Sequence, residues 1–147
     1  MKNKGAGLIL TILSILLAVA SAAAYLYNCT TPYFATIGVN ALVVGCIAAG
    51  AGIQAVAVIL GWKRQRTWLD ILPVAASAFL MAALIRFVGI RINEIAFIMT
   101  FQKTAANLAD MQSAVVGIAL CLGALLVSWV ASFFDITKPA TPEEGVR

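Results

Sequence analysis

GVNALVVGCIAAGAGIQA, residues 38–55, is an apolar run that keeps one edge free of bulk. Gly38, Ala41, Gly45, Ala48, Gly52 and Ala55 recur at intervals of 3, 4, 3, 4 and 3. A mean interval of 3.5 holds these positions on one narrow stripe of an α-helix, the geometry that gives left-handed crossings near +20°. In lipid there is little hydrophobic drive between helices, so close backbone approach over small residues must supply the association. The run therefore reads as a transmembrane helix with a packing seam.

The rest of the chain agrees. Of 147 residues, 63% are hydrophobic and only 11% charged, with a mean hydropathy of +1.00. An ordinary soluble domain carries roughly 25% charged residues, so too few are present to build a water-facing surface. Four stretches are long enough for a hydrocarbon core of about 30 Å, which takes roughly 20 apolar helical residues. They are about 7–26, 33–62, 68–90 and 113–134. The runs are continuous and lack the alternation of a lipid-facing strand, which selects helices over a barrel. The fold class read here is an all-α integral membrane protein, a four-transmembrane-helix bundle spanning 1–136, followed by a disordered cytoplasmic tail at 137–147.

The net charge of +4 reads as topology, with no nucleic-acid partner implied. Lys2, Lys4, Lys63, Arg64, Arg66, Lys138 and Arg147 fall on one side, and Arg86, Arg91 and Lys103 on or near the other. The positive-inside rule puts both termini and the 63–66 cluster in the cytoplasm, with a bacterial plasma membrane as the expected location. Residues 20–22 match a signal-cleavage pattern, but the apolar run continues to Tyr27 where a signal core has roughly 7–15 residues. A retained first helix is favoured over a cleaved one. Between Trp62 and Trp68 the basic turn is tight, and Thr67 and Asp70 stand where a helix cap and a first-turn acid belong.

The connection from Arg91 to Gln112 is the one loop long enough to hold structure. Phe97, Phe101, Ala105, Leu108 and Met111 or Gln112 fall at helical intervals. This predicts a short outer interfacial helix between spans three and four, the alternative being a continuation of span three beyond the membrane. Ala114, Gly117, Cys121, Ala124, Ser128 and Ala131 repeat the 3, 4, 3, 4, 3 spacing in span four. Spans two and four, with Gly38, Gly45, Gly52, Gly117, Cys121 and Ala124 as packing positions, are therefore expected face to face.

Chemistry is sparse. Histidine is absent, and Cys29, Cys46 and Cys121 lack C-x-x-C spacing. No cofactor or metal is implied, and zinc sites or cysteine–histidine dyads have no residues to build them. Asn28-Cys29-Thr30 matches the glycosylation acceptor pattern. No span has an acid at its centre, as a proton-coupled exporter usually needs. An enzyme is not expected. Five polar residues in or beside spans are candidate functional or partner-facing positions: Asn40, Gln54, Arg86, Arg91 and Glu94. Arg86 reads either as a snorkelling anchor alongside Arg91 or as an anion- or partner-facing charge paired to Glu94 or Asp110, with Glu94 equally available to Arg91 as a local helical pair. The layout resembles that of tetraspan proteins of the MARVEL and claudin groups, with both ends inside and two outer connections. The claudin signature of a tryptophan followed by two cysteines is absent, and the resemblance carries no function. The function expected is helix packing with a second copy or a larger membrane partner, as an accessory or structural subunit in the lipid bilayer. The alternative is an oligomeric channel, a holin-like pore or a small-solute transporter.

Overall fold

The computed structural model describes residues 6–63 and 71–134, and contains four helices: α1 (Ala6–Thr30), α2 (Ala41–Lys63), α3 (Ile71–Phe101) and α4 (Ala105–Ala131). Each is long and apolar enough to cross a membrane. The chain is a small multi-pass membrane protein. Its outer surface carries exposed Ile9, Leu16, Val19, Ile59, Ile85, Val116 and Leu126, the pattern of a bundle whose solvent is lipid.

Each helix is a neighbour of the next, and α4 closes against α1. Spans two and four are thus diagonal, and the expected face-to-face pairing is corrected. The main partner of α4 is α1. Ala114, Gly117, Cys121, Ala124, Ser128 and Ala131 are all buried, so the α4 stripe does form a seam. The facing stripe on α1 is Gly7, Thr11, Ser14, Ala18, Ser21, Tyr25 and Asn28, again at alternating intervals of four and three. Ser14 Oγ donates to the Ala124 carbonyl at 2.8 Å, and Ser21 Oγ to the Gly117 carbonyl at 3.0 Å. The residue numbers fall on α1 as they rise on α4, which fixes an antiparallel register.

The inward face of α2 is Val43, Ile47, Gly50, Gln54 and Ala57, also at a period of 3.5. It is offset by two residues from the small stripe, about 200° round the helix. The small stripe consequently faces outward: Ala41, Gly45, Ala48 and Gly52 are exposed. A Cβ at Gly45 or Gly52 would meet nothing within 4 Å. At Gly50, by contrast, it would lie 3.0 Å from Leu80 Cγ and 3.2 Å from the Ala76 carbonyl oxygen. Close approach of α2 to α3 therefore depends on Gly50, which lies off the small stripe.

Two boundaries differ from the sequence reading. Helix α2 begins at Ala41, eight residues later than expected, after a run of turns over 31–40. Pro32 cannot donate to a continuing helix, and Gly38 has φ +74°, a left-handed conformation that ends the turns. Gly38 is therefore a loop residue, not a helix-packing one. The separate outer helix over 92–112 is also corrected. Nothing in Arg91–Phe101 interrupts α3, so it continues to Phe101; the chain reverses at 102–104, and α4 starts at once. Thr104 is the N-cap, with extended backbone and its hydroxyl accepting from the Asn107 amide at 3.2 Å. The helical spacing from Phe97 to Met111 crosses this turn and belongs to two helices. The basic cluster at 64–66, the Thr67–Asp70 cap and the 137–147 tail lie outside the described residues.

Candidate functional site

Charged and polar groups gather at the end of the bundle that carries the 31–40 and 102–104 connections, and the local structure explains how. The last turn of α1 presents Asn28, whose Nδ2 donates to Ser113 Oγ at 2.8 Å and to the Asp110 carbonyl at 3.2 Å. Asn28 is fully buried there. The 31–40 segment then folds across the α3–α4 pair. The Tyr33 amide donates to Asp110 Oδ2 at 3.0 Å, and its hydroxyl to Glu94 Oε2 at 3.1 Å. Partial burial first, and the Glu94 carboxylate second, hold the Tyr33 phenol above its usual pKa. These two contacts pin Phe34 inward, into a small cluster with Ile98 and Ala114. Asn40 N–H donates to the Tyr25 hydroxyl at 2.8 Å, while Asn40 Oδ1 accepts from Leu42 N–H at 3.0 Å. Asn40 thus starts α2, a capping role in place of the in-span polar site.

Beneath that segment lies Arg91. It sits four residues after Phe87 on the inward stripe Leu80, Ala83, Phe87, Arg91 and is fully buried. The snorkelling reading is corrected for this residue. Its Nη2 donates to Cys29 Sγ at 3.0 Å, and its guanidinium carbon lies 4.5 Å from the Phe34 ring centroid and 5.6 Å from that of Tyr25. The Tyr25 ring is held edge-on against Phe87 at 4.8 Å. Nε and Nη1 have no hydrogen-bond partner among the described residues. Glu94, the expected local partner, is committed to Tyr33. Arg86, five residues earlier, is exposed on another face, where no pairing with Glu94 or Asp110 is formed.

Magnitudes show that Arg91 is under-compensated. Burying a cation costs several kcal/mol even after relaxation. Desolvated cation–π contacts return about 2 kcal/mol each, and a thiol is only a weak acceptor. Three N–H groups on Nε and Nη1 remain unpaired, each a further penalty of about 1–3 kcal/mol.

The opposite end, where α1 begins and α4 finishes, holds a smaller polar feature. Gln54 Nε2 donates to Ser128 Oγ at 3.0 Å, the one hydrogen bond across the α2–α4 diagonal among the described residues, and Gln54 Oε1 is unpartnered. Beside it Thr11, Pro73 and Ser132 complete a cavity of about 10 Å³, room for a single water. Between the two ends the interior is filled by Leu80, Phe87, Cys121 and Leu125. The hydroxyls at mid-depth, Ser14 and Ser21, point into backbone carbonyls. The described residues form no continuous polar path.

The remaining site candidates are distributed rather than assembled. Gly117, Cys121 and Ala124 lie in the α1–α4 seam, Gly45 and Gly52 on the outer face of α2. Among the described residues no three His, Cys, Asp or Glu side chains come together to hold a metal. The α1 stripe, Cys29 as the partner of Arg91, and Tyr33 as the latch of the outer segment were missed by sequence reasoning. A heptad of mixed Ser, Thr and Tyr was the available signal for the first. Comparison of the chain with protein-family models, with curated proteins and with solved structures finds no match.

Proposed function

We propose that this protein is a non-enzymatic structural subunit of the membrane that acts by docking the outer face of α2 against another transmembrane helix, in the first instance α2 of a second copy. The observation that supports this reading is the outward small-residue stripe of Ala41, Gly45, Ala48 and Gly52. The same spacing on α4 is consumed inside the bundle by α1. On α2 the inward face is a different set of residues, so the stripe contributes nothing to the monomer's packing. A stripe that is small on both partners allows the closest backbone approach and suits a two-fold pair. Both termini are proposed to be cytoplasmic on the distribution of Lys and Arg. Labelling of a cysteine at position 65 from outside intact cells would contradict that orientation.

The test is cross-linking in native membranes, with Cys29, Cys46 and Cys121 removed and a cysteine placed at Ala48. A homodimer adduct that disappears with Gly45→Leu and Gly52→Leu, while the monomer keeps its thermal stability, is the expected result. A monomer under all conditions would overturn the docking reading. An adduct to a different chain would replace the second copy with a larger partner. Conduction through a single bundle is disfavoured by the apolar plug at mid-depth, and solute flux through purified protein in liposomes would reverse that judgement.

A further inference from the structure

We infer that Arg91 is the cationic floor of a binding site for a small monovalent anion, roofed by Phe34 and the 31–40 segment. A guanidinium fully removed from solvent needs acceptors for its N–H groups, and among the described residues neither acid of this region contacts it. Asp110 accepts from the Tyr33 amide and Glu94 from the Tyr33 hydroxyl. The hydrogen-bond partner that Arg91 does have is the sulfur of Cys29. Nε and Nη1 present three N–H donors with no acceptor, and a buried donor set of this kind is the chemistry that holds an anion.

The surroundings set the class of ligand. The carboxylates of Glu94 and Asp110 stand close by on Tyr33, and their repulsion disfavours a multiply charged ion such as sulfate or phosphate. Arg91 is fully buried with the Phe34 and Tyr25 rings over its guanidinium, so an ion that reaches it must be small, of halide or nitrate size. These rings are weakly polar and cannot replace an acceptor, although their faces favour the cation that the ion would meet. Access is over the roof. The 31–40 segment is held by the two hydrogen bonds of Tyr33 to carboxylates, by the Asn40 amide on the Tyr25 hydroxyl and by Phe34 packed on Ile98 and Ala114, so lifting it breaks these contacts without unfolding a helix. The inference is independent of the docking face on α2, which lies on the bundle exterior.

Thermal unfolding of the full chain in lipid nanodiscs, titrated with chloride against gluconate at constant ionic strength, tests it. Binding to the native state alone raises Tm by about 5–10 °C when the anion reaches a hundredfold its dissociation constant. Chloride, bromide and nitrate are expected to produce that rise and gluconate none. Arg91→Met should abolish the response, and Arg86→Met, on the exposed face, should keep it. Phe34→Ala retains the cation but opens the roof, so gluconate should then compete with chloride. Equal Tm in chloride and gluconate for the wild type, or an undiminished response in Arg91→Met, overturns the site. If Arg91→Met does not fold, Phe34→Ala decides: unchanged exclusion of gluconate there would overturn the placement under the roof.

Discussion

Gly117→Ala tests the seam logic with one methyl group. A Cβ at this position would lie 2.9 Å from Phe87 Cζ, 3.1 Å from Phe87 Cε1 and 3.6 Å from the Ala24 Cβ. Below 3.0 Å something must move, and the neighbour is poorly able to. Phe87 is fully buried, and its ring stands edge-on to Tyr25 at 4.8 Å, which in turn lies against Arg91. Phe87 lies on α3, so relief would need α4 to shift away from α3 and would disturb the 3.0 Å Ser21–Gly117 bond that fixes α4 on α1. Overpacking of this kind costs about 1–3 kcal/mol. Gly45→Ala is the matched control, because its Cβ meets open space and Ala is the better helix former by about 0.8–1.0 kcal/mol. The propensity gain is common to both variants and cancels, so reversible unfolding in mixed micelles should separate them by the overpacking cost alone, about 1–3 kcal/mol, with Gly117→Ala the weaker. Equal stabilities would refute the view that Gly117 is small because Phe87 occupies its space.

Ser14→Ala and Ser21→Ala should each lower stability by about 0.6 kcal/mol, and the pair by nearly the sum, since the bonds are two turns apart. A loss under about 0.3 kcal/mol for the double variant, in the same unfolding assay, would show that the hydroxyls fall back on their own helix without cost. Tyr33→Phe removes the bond to Glu94 and should raise hydrogen exchange across residues 31–40 while leaving α1 unchanged. The raised phenol pKa fixes the sign of the pH effect: the contact is intact below the ordinary phenol value near 10 and is lost as pH climbs through the raised one. Exchange in 31–40, corrected for its intrinsic pH dependence, should thus be flat from neutrality to about pH 10 and increase above it, and the increase should vanish in Tyr33→Phe. Gly50→Leu should disrupt the α2–α3 contact far more than Gly52→Leu, read as protease sensitivity of the membrane-embedded bundle.

The helix count and the buried α4 stripe were legible because hydropathy and small-residue spacing are local properties. Partner assignment was not. The α4 stripe matches that of α2 by composition, yet its partner on α1 mixes Ser, Thr, Tyr and Asn, so a search for small residues alone passes over it. For α2 the spacing was right and the direction wrong: two interleaved 3.5-residue patterns run along one helix, and only Gly50 tells which one meets a backbone. Arg86 and Arg91 show the same limit. Helix α3 is apolar nearly all round, so periodicity supplies no inward direction. The useful signal was the four-residue step from Phe87 to Arg91, which puts the charge on the stripe of Leu80 and Ala83. Asn40 was misplaced because an apolar run starting at Tyr33 hides a turn that Pro32 and Gly38 produce.

Of the four described helices, the α1–α4 seam joins the earliest in chain order to the latest, and this gives the bundle a birth order. Before α4 emerges, Ser14, Ser21 and Asn28 have no partner across the bundle, yet α1 is already in the membrane. Thr11 shows the interim solution, since its hydroxyl donates to the Gly7 carbonyl one turn back at 2.8 Å. Ser14 and Ser21 can wait in the same way on the Leu10 and Leu17 carbonyls. When α4 arrives, each hydroxyl need only rotate about χ1 to exchange its own helix for the new one. For these two serines the closing step is a swap of acceptors at constant hydrogen-bond number, so neither hydroxyl need first be bared to lipid, while Asn28 gains its two bonds to α4 only on closure.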